Sequence, residues 1–302
     1  MKILVVGVFD VENSANIFAA KALRALGHTV EEFSYRAISR KIGITAMNAG
    51  LVYEVNKTSP DLVLIFKGNE LAVPAVQQIS KLTNVWYFFM DPISTAAPHF
   101  INLAKECTYV SCTGGGVAKY FEANGCADVH LVFDGVDPEY YHPVSLNPEF
   151  AADVSFVGSR TQERMDYIYH LGATRLVRVY GDGFGSRVLG GVFNTICGSS
   201  QAVLSINTQN DVADYWSDRL VISLACGAFV LQKYSPGLEK WFKNKEQLVW
   251  FNTKEELVEL ANYYLAAERF EERRSIAQAG YDHVLANYTW RHQMQKLLEY
   301  IK

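Results

Sequence analysis

Apolar residues fall along the chain in two alternating rhythms. Short continuous runs rich in β-branched and aromatic residues stand at Ile3–Val8, Thr29–Tyr35, Asp61–Phe66, Asn84–Phe89, Tyr109–Cys112 and Val129–Val132. Between them lie longer stretches with apolar residues at helical spacing, such as Ile17, Ala20, Leu23 and Leu26. Short apolar runs bounded by turn residues predict buried strands, and their alternation with helices predicts βαβ units with parallel sheets. The stretch from Phe133 to Pro143, with two prolines and a glycine, breaks the rhythm and reads as a linker. The alternation then restarts with strands at Val154–Val157, Leu176–Tyr180, Ala202–Ile206, Ala228–Leu231 and Gln247–Phe251, and helices near 161–172, 214–225, 254–267 and 270–286. The pattern is α/β, two Rossmann-like domains, expected to face each other across a cleft. The expected division is 1–138, 139–286 and a last segment, 287–302. In that segment Trp290, Met294, Leu297, Leu298 and Ile301 share one face of a helix that must dock on something.

Composition narrows the picture. Hydrophobic residues make up 49% of the 302 and charged residues 20%, a folded rather than a disordered chain. The net charge of −4 offers no global field for nucleic acid. The five cysteines include no CxxC pair, so neither a disulfide framework nor a zinc cage is signalled, and a reducing, cytoplasmic setting is expected. Asp10 and Glu12 follow the first apolar run at once, which favours a strand over a leader peptide. The stretch Leu220–Leu231 is interrupted by Ser223 and Gly227 and falls well short of the ~20 residues that span a bilayer.

Candidate chemistry gathers where strands end. Glycines follow strands at Thr113-Gly-Gly-Gly116, Val157-Gly158-Ser159-Arg160 and Tyr180-Gly181-Asp182-Gly183. Glycine lets a phosphate approach the backbone at a helix N-terminus, although plain steric need places glycine in the same turns. Arg160 and Arg164, four apart at a helix start, suit a diphosphate or a solvated face with Glu163 and Asp166. Asn207, Asp214, Asp218 and Arg219 cluster between a strand and a helix, where they suit a ribose or a sugar; the bland role of Asp214 is a helix cap. Asp91, before Pro92 at a strand end, is a candidate base or an Asx turn. Arg36, Arg40 and Lys41 form a local basic cluster, suited to an anionic acceptor or to a solvated loop. No HExxH, DxD or GxSxG occurs, so neither a protein-held metal nor a covalent hydrolase is expected.

These motifs resemble a known family. The run Asp218 to Leu231, with Tyr234-Ser-Pro-Gly-Leu238, Lys245 to Phe251 and Glu255-Glu-Leu257, is similar to the C-terminal half of group 1 glycosyltransferases, especially their CgeB-like spore-maturation branch. Asp153 to Ser159, Gly181 to Gly183 and Phe133 to Pro143 resemble that branch in the same order; the likeness spans about 129–301 and is loose before that.

The resemblance implies a GT-B fold and a metal-independent, retaining transfer of a hexose or pentose. The donor, a UDP-sugar or other nucleoside diphosphate sugar, would sit in the C-terminal domain, with no other cofactor. Gly158, Ser159, Arg160 and Arg164 fall on the family's diphosphate loop, and Gly181, Asp182 and Gly183 near the nucleotide. Asp91 would be the base if the enzyme inverts. The acceptor is open: a small molecule, a glycan, or DNA carrying a modified base. One departure stands out. Where the family holds two glutamates eight positions apart, this chain has Asp214 and Ile222, so Asp218, one turn before Ile222, is the expected substitute for the ribose contact. A nucleotide-sugar-binding protein without turnover and a nucleotide-sugar epimerase are the rival readings.

Overall fold

Each apolar run becomes a parallel strand in the computed structural model, which describes residues 1–185 and 188–301. The chain divides into two compact units, one of residues 1–135 together with 290–301, the other Val136–Thr289.

The first unit runs β1 (Lys2–Gly7), α1 (Ala15–Ala25), β2 (Thr29–Ser34), α2 (Tyr35–Ile42), α3 (Ile44–Thr58), β3 (Leu62–Phe66), α4 (Val73–Ile79), β4 (Asn84–Phe89), α5 (Pro98–Lys105), β5 (Tyr109–Cys112), α6 (Gly115–Ala123) and β6 (Val129–Leu131). Its sheet has the order β2-β1-β3-β4-β5-β6. The central strands are apolar throughout because both faces are covered; every residue of β3 is buried.

The second unit runs β7 (Ala152–Val157), α7 (Gln162–Gly172), β8 (Val177–Tyr180), α8 (Gly190–Ser199), β9 (Ser200–Ser205), α9 (Asp218–Ala225), β10 (Val230–Lys233), β11 (Val249–Phe251), α10 (Lys254–Tyr264) and α11 (Phe270–Asn287). Its sheet order is β11-β10-β9-β7-β8. Val154, Phe156, Leu204, Leu231 and Phe251 from the strands pack with Met165, Ile168, Leu257 and Ile276 from the helices into one core. A last helix, α12 (Trp290–Glu299), belongs to the first unit and packs along α1.

The pattern mispredicted one boundary. The helix expected from 214 begins at Asp218, and Asp214 lies outside it with a left-handed φ of 52°. The stretch Gly190–Ser199 forms the helix α8, whose buried Phe193, Ile196 and Cys197 make it a packing element. No helix among the described residues is long and apolar enough to cross a membrane.

Candidate functional site

In both sheets the strand order reverses beside the first strand, between β1 and β3 and between β7 and β9. Neighbouring chain ends diverge there, which leaves room for a ligand outside the carboxyl ends of the strands. In the second unit that switch point is filled by cations.

Arg164 starts on α7 but turns inward and is 1% exposed. Its Nε and Nη2 donate to the Ile206 carbonyl at 3.1 and 2.9 Å, and Nη2 also donates to Thr208 Oγ1 at 3.1 Å. Nη1 donates to the carbonyl and Oγ of Ser159 at 2.9 and 2.7 Å. All five guanidinium donors are therefore engaged, and they tie the loop after β7 to the loop after β9. Arg219, from the first turn of α9, reaches the same Ile206 carbonyl and Ser217 Oγ, both at 3.3 Å. Both guanidinium carbons stand 5.5 Å from the centre of the buried Phe156 ring. Burial, then the nearby Arg219 charge, lowers the Arg164 pKa to about 10; burial lowers that of Arg219 as well. Neither makes a salt bridge with a carboxylate among the described residues.

This arrangement explains the glycines sterically. The Gly158 and Arg160 amides donate to the Tyr180 and Asp182 carbonyls at 2.9 Å each, so the two glycine turns are zipped to each other. A Cβ on Gly181, whose φ is +109°, would lie 2.6 Å from the Gly158 carbonyl oxygen. One on Gly158 would lie 2.7 Å from Arg219 Nη2. Those two amides are consequently closed to a phosphate, whereas the Arg160 side chain is exposed and has no ion-pair partner among the described residues. Beside Arg160, a cavity of about 650 Å³ opens between α7 and the edge strand β8, walled by Ile168, Tyr169, Val179 and Phe184.

The structure thus brings Gly158, Ser159, Arg160, Arg164, Gly181, Asp182, Gly183, Asn207 and Arg219 to one end of one sheet. Asn207 is buried, and its side chain accepts from the Ser217 amide and donates to the Tyr215 carbonyl, which fixes the entry to α9. Asp218 is exposed at the start of α9, and Ile222 lies one turn later, almost fully buried. Asp214 is not the cap of that helix: its carboxylate is held by Lys240 Nζ at 3.0 Å and by Trp241 Nε1 at 3.1 Å. Asp91 belongs to the other unit, at the end of β4, where it is ion-paired with Lys67 from the end of β3. Lys67 has a φ of 60°, and its carbonyl accepts from the Tyr87 hydroxyl at 2.7 Å. Sequence reasoning missed Lys67, Thr208 and the Phe156 platform. Lys67 and Asp91 each directly follow or end an apolar run, and adjacency of their strands was the signal available. Among the described residues no group of three His, Cys, Asp or Glu side chains is placed to hold a metal ion.

Comparison with known proteins gives the fold a context. Residues 151–299 match a family model described as glycosyl transferase-like. No curated protein sequence matches the chain. The chain is similar in fold to Anabaena HepE in complex with UDP-glucose (13% identity, TM-score 0.70, all of both chains covered). It is similar to sucrose-phosphate synthase from Thermosynechococcus elongatus (12%, TM-score 0.71, 99% of this chain and 98% of that one). It is also similar to a DNA-modifying β-glucosyltransferase (13%, TM-score 0.64, 99% of each chain). The two α/β units have the fold of GT-B glycosyltransferases.

Proposed function

We propose that the protein transfers a sugar from a nucleoside diphosphate sugar, a UDP-sugar in the first instance, to an acceptor hydroxyl. The observation that carries this reading is the pair of guanidiniums at the switch point of the second unit, Arg164 and Arg219, neither in a salt bridge with a carboxylate among the described residues. Such a pair wants an anion, and the α7 N-terminus beside it adds a favourable dipole. The diphosphate lies against Arg219 and the exposed Arg160, over the loop that Arg164 holds in shape. As the bond from the sugar's anomeric carbon to the diphosphate oxygen breaks, charge grows on the leaving group, and cations already in place stabilise it without a metal. A new bond forms from the same carbon to the acceptor oxygen. In the retaining course we favour, the acceptor proton passes to a phosphate oxygen of the donor. The carboxylate that an inverting route would use as base is that of Asp91, which is ion-paired with Lys67.

UDP and UDP-glucose titrated calorimetrically into the protein are expected to bind, and Arg219→Met to weaken both at least ~tenfold, the loss of one charge-assisted contact. Equal binding by the variant, or none by the native chain, defeats the assignment. A binding protein without turnover is the second reading, favoured by Ile222, an aliphatic side chain where the resemblance has a ribose-binding glutamate. UDP-glucose that binds but is neither hydrolysed nor transferred decides for it.

A further inference from the structure

At the other end of the second unit's sheet from the cationic loop lies a cavity of about 370 Å³ that this chemistry leaves unused. It opens at the amino ends of β9 and β10, where Cys197 and Gly198 close α8 and Cys226 and Gly227 lead out of α9. One face of α11 forms its next wall: Phe270, Arg273, Arg274 and Ala277 stand at helical spacing i, i+3, i+4 and i+7. The segment ahead of β7 completes it through Pro143, Val144 and Leu146. That segment is firmly held. The Asn147 amide donates to Ser199 Oγ and Asn194 Nδ2 donates to the Tyr140 carbonyl, both at 2.9 Å. A Cβ on Gly198 would lie 2.5 Å from the Val144 carbonyl oxygen, and one on Gly227, whose φ is +73°, 3.2 Å from Pro143 Cγ. Glycine at these two places lets the segment rest directly on the ends of both helices, so the cavity is preformed.

Charge selects the occupant. No Asp or Glu lines the cavity among the described residues. The ends of α8 and α9 each contribute roughly half a negative charge, and the two arginines outweigh them by about one positive charge. Arg273 is half-buried and makes no ion pair among the described residues; its Nη1 donates to the Tyr264 carbonyl at 2.6 Å, and burial pushes its pKa down. Arg274 reaches Glu271 only at 4.0 Å, with both side chains in water, where such a pair counts for little. Both forks therefore keep donors for an anion. The remaining walls are apolar, and at the rim Leu146 is 62% and Phe270 51% exposed, uncovered by any described residue. A nucleotide or sugar phosphate would set two or more negative charges against that one and its hydroxyls against apolar walls. We propose that this cavity binds a small amphipathic monoanion, a carboxylate on an aliphatic body, with the carboxylate on Arg273 and Arg274 and the body against Val144, Leu146, Phe229 and Phe270. The site is separate from the cationic loop: α9, eight residues and about 12 Å long, carries Arg219 in its first turn and meets the cavity just past its last.

Calorimetric titration of the whole chain with octanoate, octanol and acetate tests the assignment. Octanoate is expected to bind at least ~tenfold more tightly than either of the others, because it alone has both the charge and the apolar body. Arg273→Gln and Arg274→Glu should each weaken octanoate at least ~tenfold. Arg274 is exposed, so its variant keeps the native melt and reports on the site even where loss of the Tyr264 bond softens Arg273→Gln. Octanoate is expected to bind equally well with UDP present or absent, so its binding is read independently of the donor assignment. A native chain that ignores octanoate overturns the proposal, as does octanol bound as tightly, or Arg274→Glu bound undiminished. Displacement of octanoate by UDP also overturns it, since the anion then lies on the cationic loop.

Discussion

Arg164→Met is expected to lower the melting temperature of the second unit by roughly 4–16 °C and to abolish measurable UDP binding. The spacing of Arg160 and Arg164 suggests two equivalent phosphate ligands, but the geometry separates them. Arg160 is exposed, while Arg164 has all five donors engaged by Ser159, Ile206 and Thr208. Its removal strands the Ser159 carbonyl, and leaves Ile206 with only the longer bond from Arg219 at 3.3 Å. Buried carbonyls without donors cost ~1–3 kcal/mol each, offset in part by no longer burying a cation, so a net loss of about 2–4 kcal/mol follows. At ~2–4 °C per kcal/mol for a unit of this size, that is the stated shift. Arg164→Lys is the sharper control. It keeps the charge and loses the planar fork, so it should melt nearly as low as the methionine variant. Arg160→Met should leave the melt alone and weaken UDP only moderately. Native-like melting of Arg164→Lys would mean that charge, not the five-bond fork, is what the loop requires.

The contrast between these two arginines shows how far the chain could be read beforehand. Strands were legible because a parallel strand covered on both faces is written as an unbroken apolar run, as in Leu62–Phe66. Arg164 was legible as a residue in the first turn of α7. Nothing local says that its side chain leaves the helix surface for a carbonyl 42 positions later in the chain. The helix-cap role of Asp214 failed for the same reason. A helix cap is a local inference, and here Lys240 and Trp241, far along the chain, hold the carboxylate. The glycines of the two turns were read either as room for a phosphate or as plain steric need, and the groups that crowd them are each other's backbone and Arg219. Long-range partners of polar side chains are the part of a site that periodicity does not encode.

Deletion of residues 290–302 should unfold the first unit outright rather than merely soften it. Trp290, Met294 and Leu297 of α12 are fully or almost fully buried. The Trp290 ring meets Phe66 and Phe88 edge-on at 6.3 and 6.4 Å between centroids. Gln293 Oε1 accepts from the Phe133 amide at 3.2 Å, and Tyr300 stacks on His130 at 4.0 Å. Without the helix, Phe66 and Phe88, the carboxyl ends of β3 and β4 in their register, face water together with α1. Three large apolar side chains at ~1.5–3 kcal/mol each amount to about 5–9 kcal/mol, within the ~5–15 kcal/mol that holds a whole domain folded. A single cavity is the graded version: Met294→Ala should cost about 2–5 kcal/mol and leave a folded protein. Scanning calorimetry separates the two cases. In the truncated chain the transition of the first unit should vanish, while the UDP-dependent rise in melting temperature of the second unit persists, because the cations that hold the anion lie wholly within Val136–Thr289. A truncated chain that keeps both transitions would show that the first unit's sheet closes its core without α12, and that the apolar face of the helix serves some other contact.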